Sequence, residues 1–302
     1  MILLALFGLV ISFTVQVHDY IGTAVLSAIV LLGVLITIFP RAKISDNTEE
    51  MLTYPEKPVH GNGILNSPAE IYYGDELSFT TEDLERILIK RFPYYKKLSQ
   101  PEKHRFLKRL QEFMEIKTFK IHDKQGFIEM PVLISAAAIQ LTFGLKNYLL
   151  SHFEFIHVYP EEFMRVTPVI SFLEGNVSGH SINLSWKHFL DGYENSSDGK
   201  NVGLHEMAHA LYYQTFVVEE EVDSSFRSMY DEFVMDGNKV YEAEKNSAGG
   251  LYSEYAEKNF QEFWAESAEL FFEKPVELKS LYPTLYVSIK ALLNQDTFTI
   301  LP

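Results

Sequence analysis

The first forty residues contain two apolar runs. Residues 1–17 and 20–40 are both uncharged, and only His18 and Asp19 lie between them. A run of about 20 apolar residues crosses the ~30 Å hydrocarbon core of a bilayer as a helix. The second run meets this length and the first lies at its lower limit. The pattern predicts a transmembrane hairpin of two helices over residues 1–40.

An alternative is that the first run is a secretory signal and only the second run spans. A signal begins with basic residues and ends at a small-residue cleavage site. Residues 1–4 contain no basic side chain, and the stretch VQVHDY is a poor cleavage site, so the hairpin is preferred. Arg41 and Lys43 follow the second run, and basic residues next to a transmembrane helix tend to remain on the cytoplasmic side. We therefore expect an inner (cytoplasmic) membrane protein whose remaining residues face the cytoplasm.

After residue 40 the pattern changes. Residues 41–75 mix polar positions with several prolines and glycines, which predicts a linker. From residue 76 onward the periodicity is that of a folded domain. Residues 80–116 repeat apolar positions at helical spacing and predict two helices. The domain is expected to cover residues 76–302.

Strand patterns lie in the middle of this domain. Residues 153–160 are rich in aromatic and β-branched side chains, and residues 180–186 alternate between apolar and polar. Residues 128–145 are mostly apolar and suggest a strand that runs into a buried, alanine-rich helix. Helices, then a small sheet, then helices indicate an α+β fold.

Residues 202–213 read VGLHEMAHALYY and predict a helix. Residues 201–218 contain no proline. Leu204, Ala208 and Leu211 recur at i, i+4 and i+7, which makes one apolar stripe.

On such a helix His205 and His209 lie one turn apart on a common face. Their ring nitrogens are then able to bind one cation at ~2.0–2.1 Å. Glu206 lies beside them, within reach of a water molecule that the cation holds, which is the logic of the H-E-x-x-H pattern. The motif alone leaves open the alternative that two histidines merely share a helix face.

A third ligand decides between these interpretations. Zinc in hydrolases takes three protein ligands and keeps a fourth position open. No histidine follows His209, so a carboxylate has to complete the site. Residues 259–272 place Glu262, Glu266 and Glu269 on one face of a nearly apolar helix. A solvated acidic face is the alternative, but so apolar a helix favours coordination.

Composition narrows the class of partner. The chain has 302 residues, a formal net charge of −15 and no cysteine. An acidic surface disfavours nucleic acid, because phosphate binding needs a basic face. The lack of cysteine excludes disulfides, thiolate zinc sites and cysteine catalysis.

The motif HEMAH, followed by YAEKNFQEFWAESAELFF, resembles the Mlc titration factor A family of zinc peptidases. It is also similar to the catalytic domain of anthrax lethal factor. The similarity to the titration factor family extends over about residues 85–296. It implies a zincin-like metallopeptidase fold for the domain. One departure is that ALYY stands at residues 210–213, where family members usually carry an aspartate.

The resemblance also implies roles for single residues. His205, His209 and Glu262 would bind Zn²⁺, and Glu206 would be the catalytic base. Tyr255, seven residues before Glu262, would help to stabilise the transition state. Glu266, four residues after Glu262, would accept a hydrogen bond from a ligand histidine.

The sequence thus predicts a membrane-tethered, zinc-dependent peptidase that acts on a peptide or protein substrate. Whether it is an aminopeptidase or an endopeptidase stays open. The strand at residues 182–186 is expected to lie along the cleft and to pair with an extended peptide. The rival hypothesis is a regulatory module that sequesters a transcriptional repressor and has weak or no peptidase activity. Glu206 favours the enzyme.

Overall fold

The computed structural model describes residues 70–123, 127–165, 171–245 and 250–298. The predicted hairpin at residues 1–40 and most of the predicted linker lie outside these ranges. None of the helices within the described ranges combines the length and the apolar character that a bilayer crossing requires.

The described ranges contain seven strands, ten α-helices and two short 3₁₀ turns at Gly74–Glu76 and Ala256–Lys258. The strands are β1 (Glu70–Tyr73), β2 (Thr118–Ile121), β3 (Phe155–Tyr159), β4 (Phe163–Arg165), β5 (Ser171–Leu173), β6 (Gly175–Ser178) and β7 (Ser181–Ser185). The helices are α1 (Thr81–Arg91), α2 (Pro93–Lys97), α3 (Gln100–Glu115), α4 (Glu129–Thr142), α5 (Trp186–Glu194), α6 (Val202–Phe216), α7 (Ser224–Glu244), α8 (Phe260–Glu273), α9 (Pro275–Leu281) and α10 (Pro283–Leu293).

Five strands form a mixed sheet in the order β1-β2-β3-β7-β6. The three central strands β2, β3 and β7 are parallel to one another, whereas β1 and β6 run antiparallel to their neighbours at the two edges. Strands β4 and β5 pair separately as a small hairpin. The predicted strands at residues 153–160 and 180–186 correspond to β3 and β7, and the predicted α+β class is confirmed.

Three predicted element boundaries are wrong. Residues 128–145 contain no strand, because α4 begins at Glu129 and is buried on every side. A run in which nearly every residue is apolar has too little periodicity to distinguish a strand from a buried helix. Residues 80–116 form three helices, since Pro93 disfavours helical geometry at the residue before it and starts α2. Residues 70–73, placed in the linker, form β1 and pair with β2.

The core lies between the sheet and the helices α4, α6 and α8. Trp264 on α8 is fully buried, and its ring lies against Phe226, Tyr230 and Phe233. The indole Nε1 donates a hydrogen bond of 2.9 Å to the Ala208 carbonyl oxygen on α6. A buried indole needs such a partner, so this bond fixes α8 against α6.

Candidate metal centre

Helix α6 carries both histidines and begins at a capped N-terminus. The side chain of Asn201 accepts a hydrogen bond from the Leu204 backbone N–H, as an N-cap residue does. His209 is buried and His205 is half-buried. Helix α8 is capped in the same way by Asn259, which accepts from the backbone N–H of Glu262. Both helices therefore start at defined positions, which sets the height at which their side chains meet.

Three ligand-type atoms converge between the two helices. His205 Nε2 lies 3.0 Å from Glu262 Oε2, His209 Nε2 lies 3.1 Å from Glu262 Oε2, and the two histidine nitrogens are 3.1 Å apart. Ligands that bind one ion tetrahedrally at ~2.0–2.2 Å stand roughly 3–3.5 Å from each other. The triangle fits one metal ion. The described part of the chain contains one group of histidine and carboxylate side chains close enough together to bind a metal ion, and it consists of His205, His209 and Glu262.

The chemistry of the three atoms also fits a cation. His205 Nδ1 lies 2.7 Å from Glu269 Oε1 and donates its proton there. The Nε2 atom of the neutral ring then presents a lone pair. His209 Nε2 and Glu262 Oε2 bring their own lone pairs to the same point. This arrangement needs a positive charge among the three atoms, which either protons on the rings or a metal ion can supply.

Glu269, and not Glu266, contacts the ligand-type histidine, so the assignment of this contact to Glu266 is corrected. The Glu266 carboxylate instead accepts hydrogen bonds from the backbone N–H and the hydroxyl of Ser253, at 2.6 and 2.7 Å. Glu266 thereby holds the loop before the Ala256–Lys258 turn. Glu269 also accepts from the backbone N–H of Asn201.

The electrostatics of the cluster follow from burial and from the paired carboxylates. Burial by itself would lower the pKa of His205, but the charge of Glu269 and the hydrogen bonds to Glu262 and Glu269 outweigh it and raise the pKa well above its usual value. For Glu262 burial is again opposed, here by hydrogen bonds from both histidines, and its pKa lies well below the ordinary range. The site therefore stabilises the ionised form of the Glu262 carboxylate beside the ring nitrogens.

Glu206 lies beside the cluster in a different environment. It is 5% exposed, and its Oε2 atom is buried without a hydrogen-bond partner. Burial raises its pKa to about 7, against the opposing charges of His209 and His205. A carboxyl group with this pKa is suited to exchange a proton near neutral pH. The hydrogen-bonding capacity of this buried oxygen is therefore unused.

Strand β6 brings its backbone up to Glu206. A Cβ atom built on Gly175 would lie 2.5 Å from Cγ of Glu206, so a larger residue here would force Glu206 or the strand to shift. The sequence prediction missed β6, since GNVS is short, polar and begins with glycine. It gave the cleft strand as residues 182–186, and this is corrected. Residues 182–185 of that segment lie in β7 between β3 and β6, so both edges of the strand are already paired.

The cluster opens into a cleft of about 800 Å³. Its walls come from β5 and β6, from α5, from the loop before α6, and from the segment that contains Tyr255. His205, Glu206, Glu266 and Glu269 are among its lining residues. A cleft of this size lies within the range that proteins use to bind ligands.

The sequence profile of the glucose-regulated metallo-peptidase M90 family matches residues 76–293. The chain belongs to this family. The predicted resemblance to the Mlc titration factor A family, which is the M90 family, is thereby confirmed. An uncharacterized protein of Synechocystis sp. is 26% identical over 219 residues, which cover 67% of this chain and 80% of that protein.

Membership in the M90 family supports a metallopeptidase type of function, and it implies a metal in the site. The His205, His209 and Glu262 cluster offers such a metal three ligands. Tyr255, the further residue that the resemblance implied, is 45% exposed at the wall of the cleft. Its ring centroid is 6.1 Å from that of His205, and Lys258 Nζ lies 3.5 Å from the centroid of the tyrosine ring.

Two further residues of this M90 family member support the centre, and the sequence analysis assigned a role to neither of them. Glu269 is the first. Glu273, one turn later on α8, accepts hydrogen bonds from the Asn201 side-chain amide at 2.9 Å and from the Gly199 backbone N–H at 3.0 Å. Asn201 is thus held by two glutamate side chains while it caps α6. The spacing of Glu262, Glu269 and Glu273 at i, i+7 and i+11 was the available indication.

Proposed function

We propose that this chain is a zinc-dependent peptidase that hydrolyses peptide or protein substrates. The observation that carries the proposal is the convergence of His205, His209 and Glu262 beside a buried carboxyl group, Glu206, with an unpartnered oxygen. When bound, zinc supplies a Lewis acid that polarises a carbonyl group and makes water acidic near neutral pH. Nitrogen and oxygen ligands in this number suit zinc.

In this proposal Glu206 moves the proton. Its Oε2 atom accepts a proton from the attacking water and later delivers it to the leaving amine. The pKa of about 7 supports both halves of this exchange, because a group that titrates near the working pH both takes and returns a proton. Tyr255 donates its hydroxyl proton as a hydrogen bond to the developing oxyanion.

Strand β6 binds the substrate backbone in this proposal. The Ser185 N–H donates to the Glu174 carbonyl at 2.7 Å, so residue 174 faces β7. Because antiparallel ladders alternate, Gly175 and Val177 turn their N–H and C=O groups away from β7. An extended peptide that pairs with these groups adds a strand to the sheet and passes beside Glu206.

The test is cleavage of a peptide library by the full chain, with zinc added or removed by a chelator. The Glu206→Gln variant should keep its zinc and lose ~10²–10⁴-fold in turnover. Glu232→Gln, an exposed position on α7, is the matched control and should cleave at the wild-type rate. Peptide cleavage by Glu206→Gln at the wild-type rate would rule out the proposed role of this carboxylate. If the inactive Glu206→Gln variant keeps the effect of the protein on transcription in cells, the rival hypothesis of a repressor-sequestering module is favoured.

We further propose that residues 1–40 tether the chain to the inner (cytoplasmic) membrane, with the peptidase domain on the cytoplasmic side. The two uncharged runs and the positive flank at Arg41 and Lys43 support this orientation. A reporter that works only in the cytoplasm should be active when it is fused after Pro302. Activity of a reporter that works only after export would contradict the orientation.

A further inference from the structure

The hairpin of β4 and β5 exposes two large apolar side chains that are not packed into the core. Met164 and Phe172 are register partners, 52% and 71% exposed. The other face of the same hairpin pairs Phe163 with Leu173, and the Phe163 ring stacks on Tyr159 at 4.6 Å. Alternate residues of a strand face opposite ways, so one face is held against the protein and the other faces solvent.

This exposed pair lies next to the proposed substrate strand. Phe172 and Leu173 line the same cleft as His205 and Glu206. Only Glu174 separates the end of β5 from Gly175 at the start of β6. At ~3.3 Å for each strand residue, Phe172 lies roughly 10 Å along the chain from Gly175. That distance corresponds to about three residues of an extended peptide.

The hairpin is held at both ends by one histidine. His188 on α5 lies with Nε2 2.5 Å from Glu162, which immediately precedes β4. Its Nδ1 lies 3.6 Å from the carboxylate of Glu174, which immediately follows β5. The apolar pair is therefore presented on a fixed base. Preorganisation of this kind lowers the entropic cost of binding.

We propose that Phe172, with Met164 beside it, forms a subsite for a bulky apolar side chain within the three residues that follow the scissile bond. The inference rests on the proposed peptidase function and specifies its substrate class. A peptide antiparallel to β6 passes Gly175 and continues toward Glu174 and Phe172 with the residues after the scissile bond. The antiparallel arrangement is the more stable pairing per residue.

A second copy of the chain is a poorer occupant. Stable interfaces bury roughly 800 Å² on each partner, and two side chains supply only a small part of that area. One peptide side chain, in contrast, is covered by a phenylalanine ring and a methionine. Methionine adapts its shape to different apolar groups, which suits a subsite for several bulky residues.

The experiment measures peptide binding and turnover together. Short alanine–serine peptides that carry a single leucine at successive positions are titrated into zinc-loaded Glu206→Gln protein, and affinity is read by fluorescence anisotropy. Phe172→Ala should weaken the best leucine peptide about tenfold, as expected for loss of an apolar contact. It should leave the leucine-free peptide unchanged. Phe172→Leu should restore most of the affinity. Met235→Ala, 67% exposed on α7, is the matched control and should have no effect.

Cleavage of the same peptides by protein with Glu206 intact then locates the leucine relative to the scissile bond. Three results would overturn the subsite. The leucine of the best peptide lies before the scissile bond, or Phe172→Ala weakens the binding of both peptides equally, or Phe172→Ala changes only the self-association of the protein in sedimentation. The two proposals can fail separately. If wild-type protein cleaves no peptide but Phe172→Ala still weakens binding of the leucine peptide alone, the apolar subsite stands and the peptidase function fails. If cleavage is normal and discrimination is absent, the subsite alone fails.

Discussion

Gly175→Ala tests whether the edge strand β6 packs directly against Glu206, the proposed catalytic base. The added Cβ atom would lie 2.5 Å from Cγ and 2.6 Å from Oε1 of Glu206. Non-bonded carbon atoms rest ~3.5–4.0 Å apart, so Glu206 or β6 has to shift by about 1 Å. A misplacement of ~1 Å in a reacting group costs up to ~10²-fold in rate. The overpacking should also lower the free energy of unfolding by roughly 1–3 kcal/mol.

The assay is steady-state cleavage of a library peptide, with bound zinc and thermal stability measured on the same samples. Zinc content should stay at the wild-type level, because the three ligand-type atoms are not displaced by the new methyl group. Gly179→Ala is the control, since φ there is 53° and no atom lies within 4 Å of a built Cβ. It should cost roughly 1–2 kcal/mol of backbone strain and leave kcat unchanged.

A double-mutant comparison shows whether the effect passes through Glu206. In the Glu206→Gln background the base is already lost, so Gly175→Ala should reduce the residual turnover only slightly. Equal losses in both backgrounds would refute the reasoning, as would a Gly175→Ala protein with wild-type kcat.

Three further predictions follow from the same region. Glu269→Ala should weaken zinc binding ~10–100-fold in a chelator competition, while Glu266→Ala should leave it near wild type; the reverse order would restore the assignment made from sequence. Tyr255→Phe should lower kcat ~10²–10³-fold with little change in KM, and a nearly intact kcat would mean that the ring only packs. Burial raises the pKa of Glu273 from 4.5 to about 8. Between these values the folded protein holds a proton that the unfolded chain has released, so the free energy of unfolding falls as pH rises. Glu273→Gln should remove that part of the slope in urea titrations, and an unchanged slope would contradict the assignment.

The sequence was sufficient for the elements whose periodicity is long and regular. Helix α6 followed from the apolar stripe around His205 and His209, and β3 and β7 followed from β-branched and alternating residues. These patterns are local, and the structure keeps them because burial of each stripe agrees with local preference. The position of Glu262 beside both histidines also agrees with the site that the family resemblance implied.

What the sequence did not determine depends on packing between distant elements. Glu266 and Glu269 lie on one helical face, and periodicity alone cannot tell which of them meets His205. The crossing of α8 over α6, fixed by Trp264, brings the later carboxylate to the ring. The edge strand was missed for a similar reason. Its four residues carry little β preference, and its place follows from pairing with β7.

The separation of the cluster along the chain has a consequence for biosynthesis. Glu262 follows His205 by 57 residues. At ~5–20 residues per second, the ribosome adds α8 roughly 3–11 s after the histidines. A nascent or truncated chain that stops before α8 possesses two of the three metal-binding groups and lacks Glu269 as well. The order of synthesis thus delays assembly of the centre until nearly the whole domain has been made.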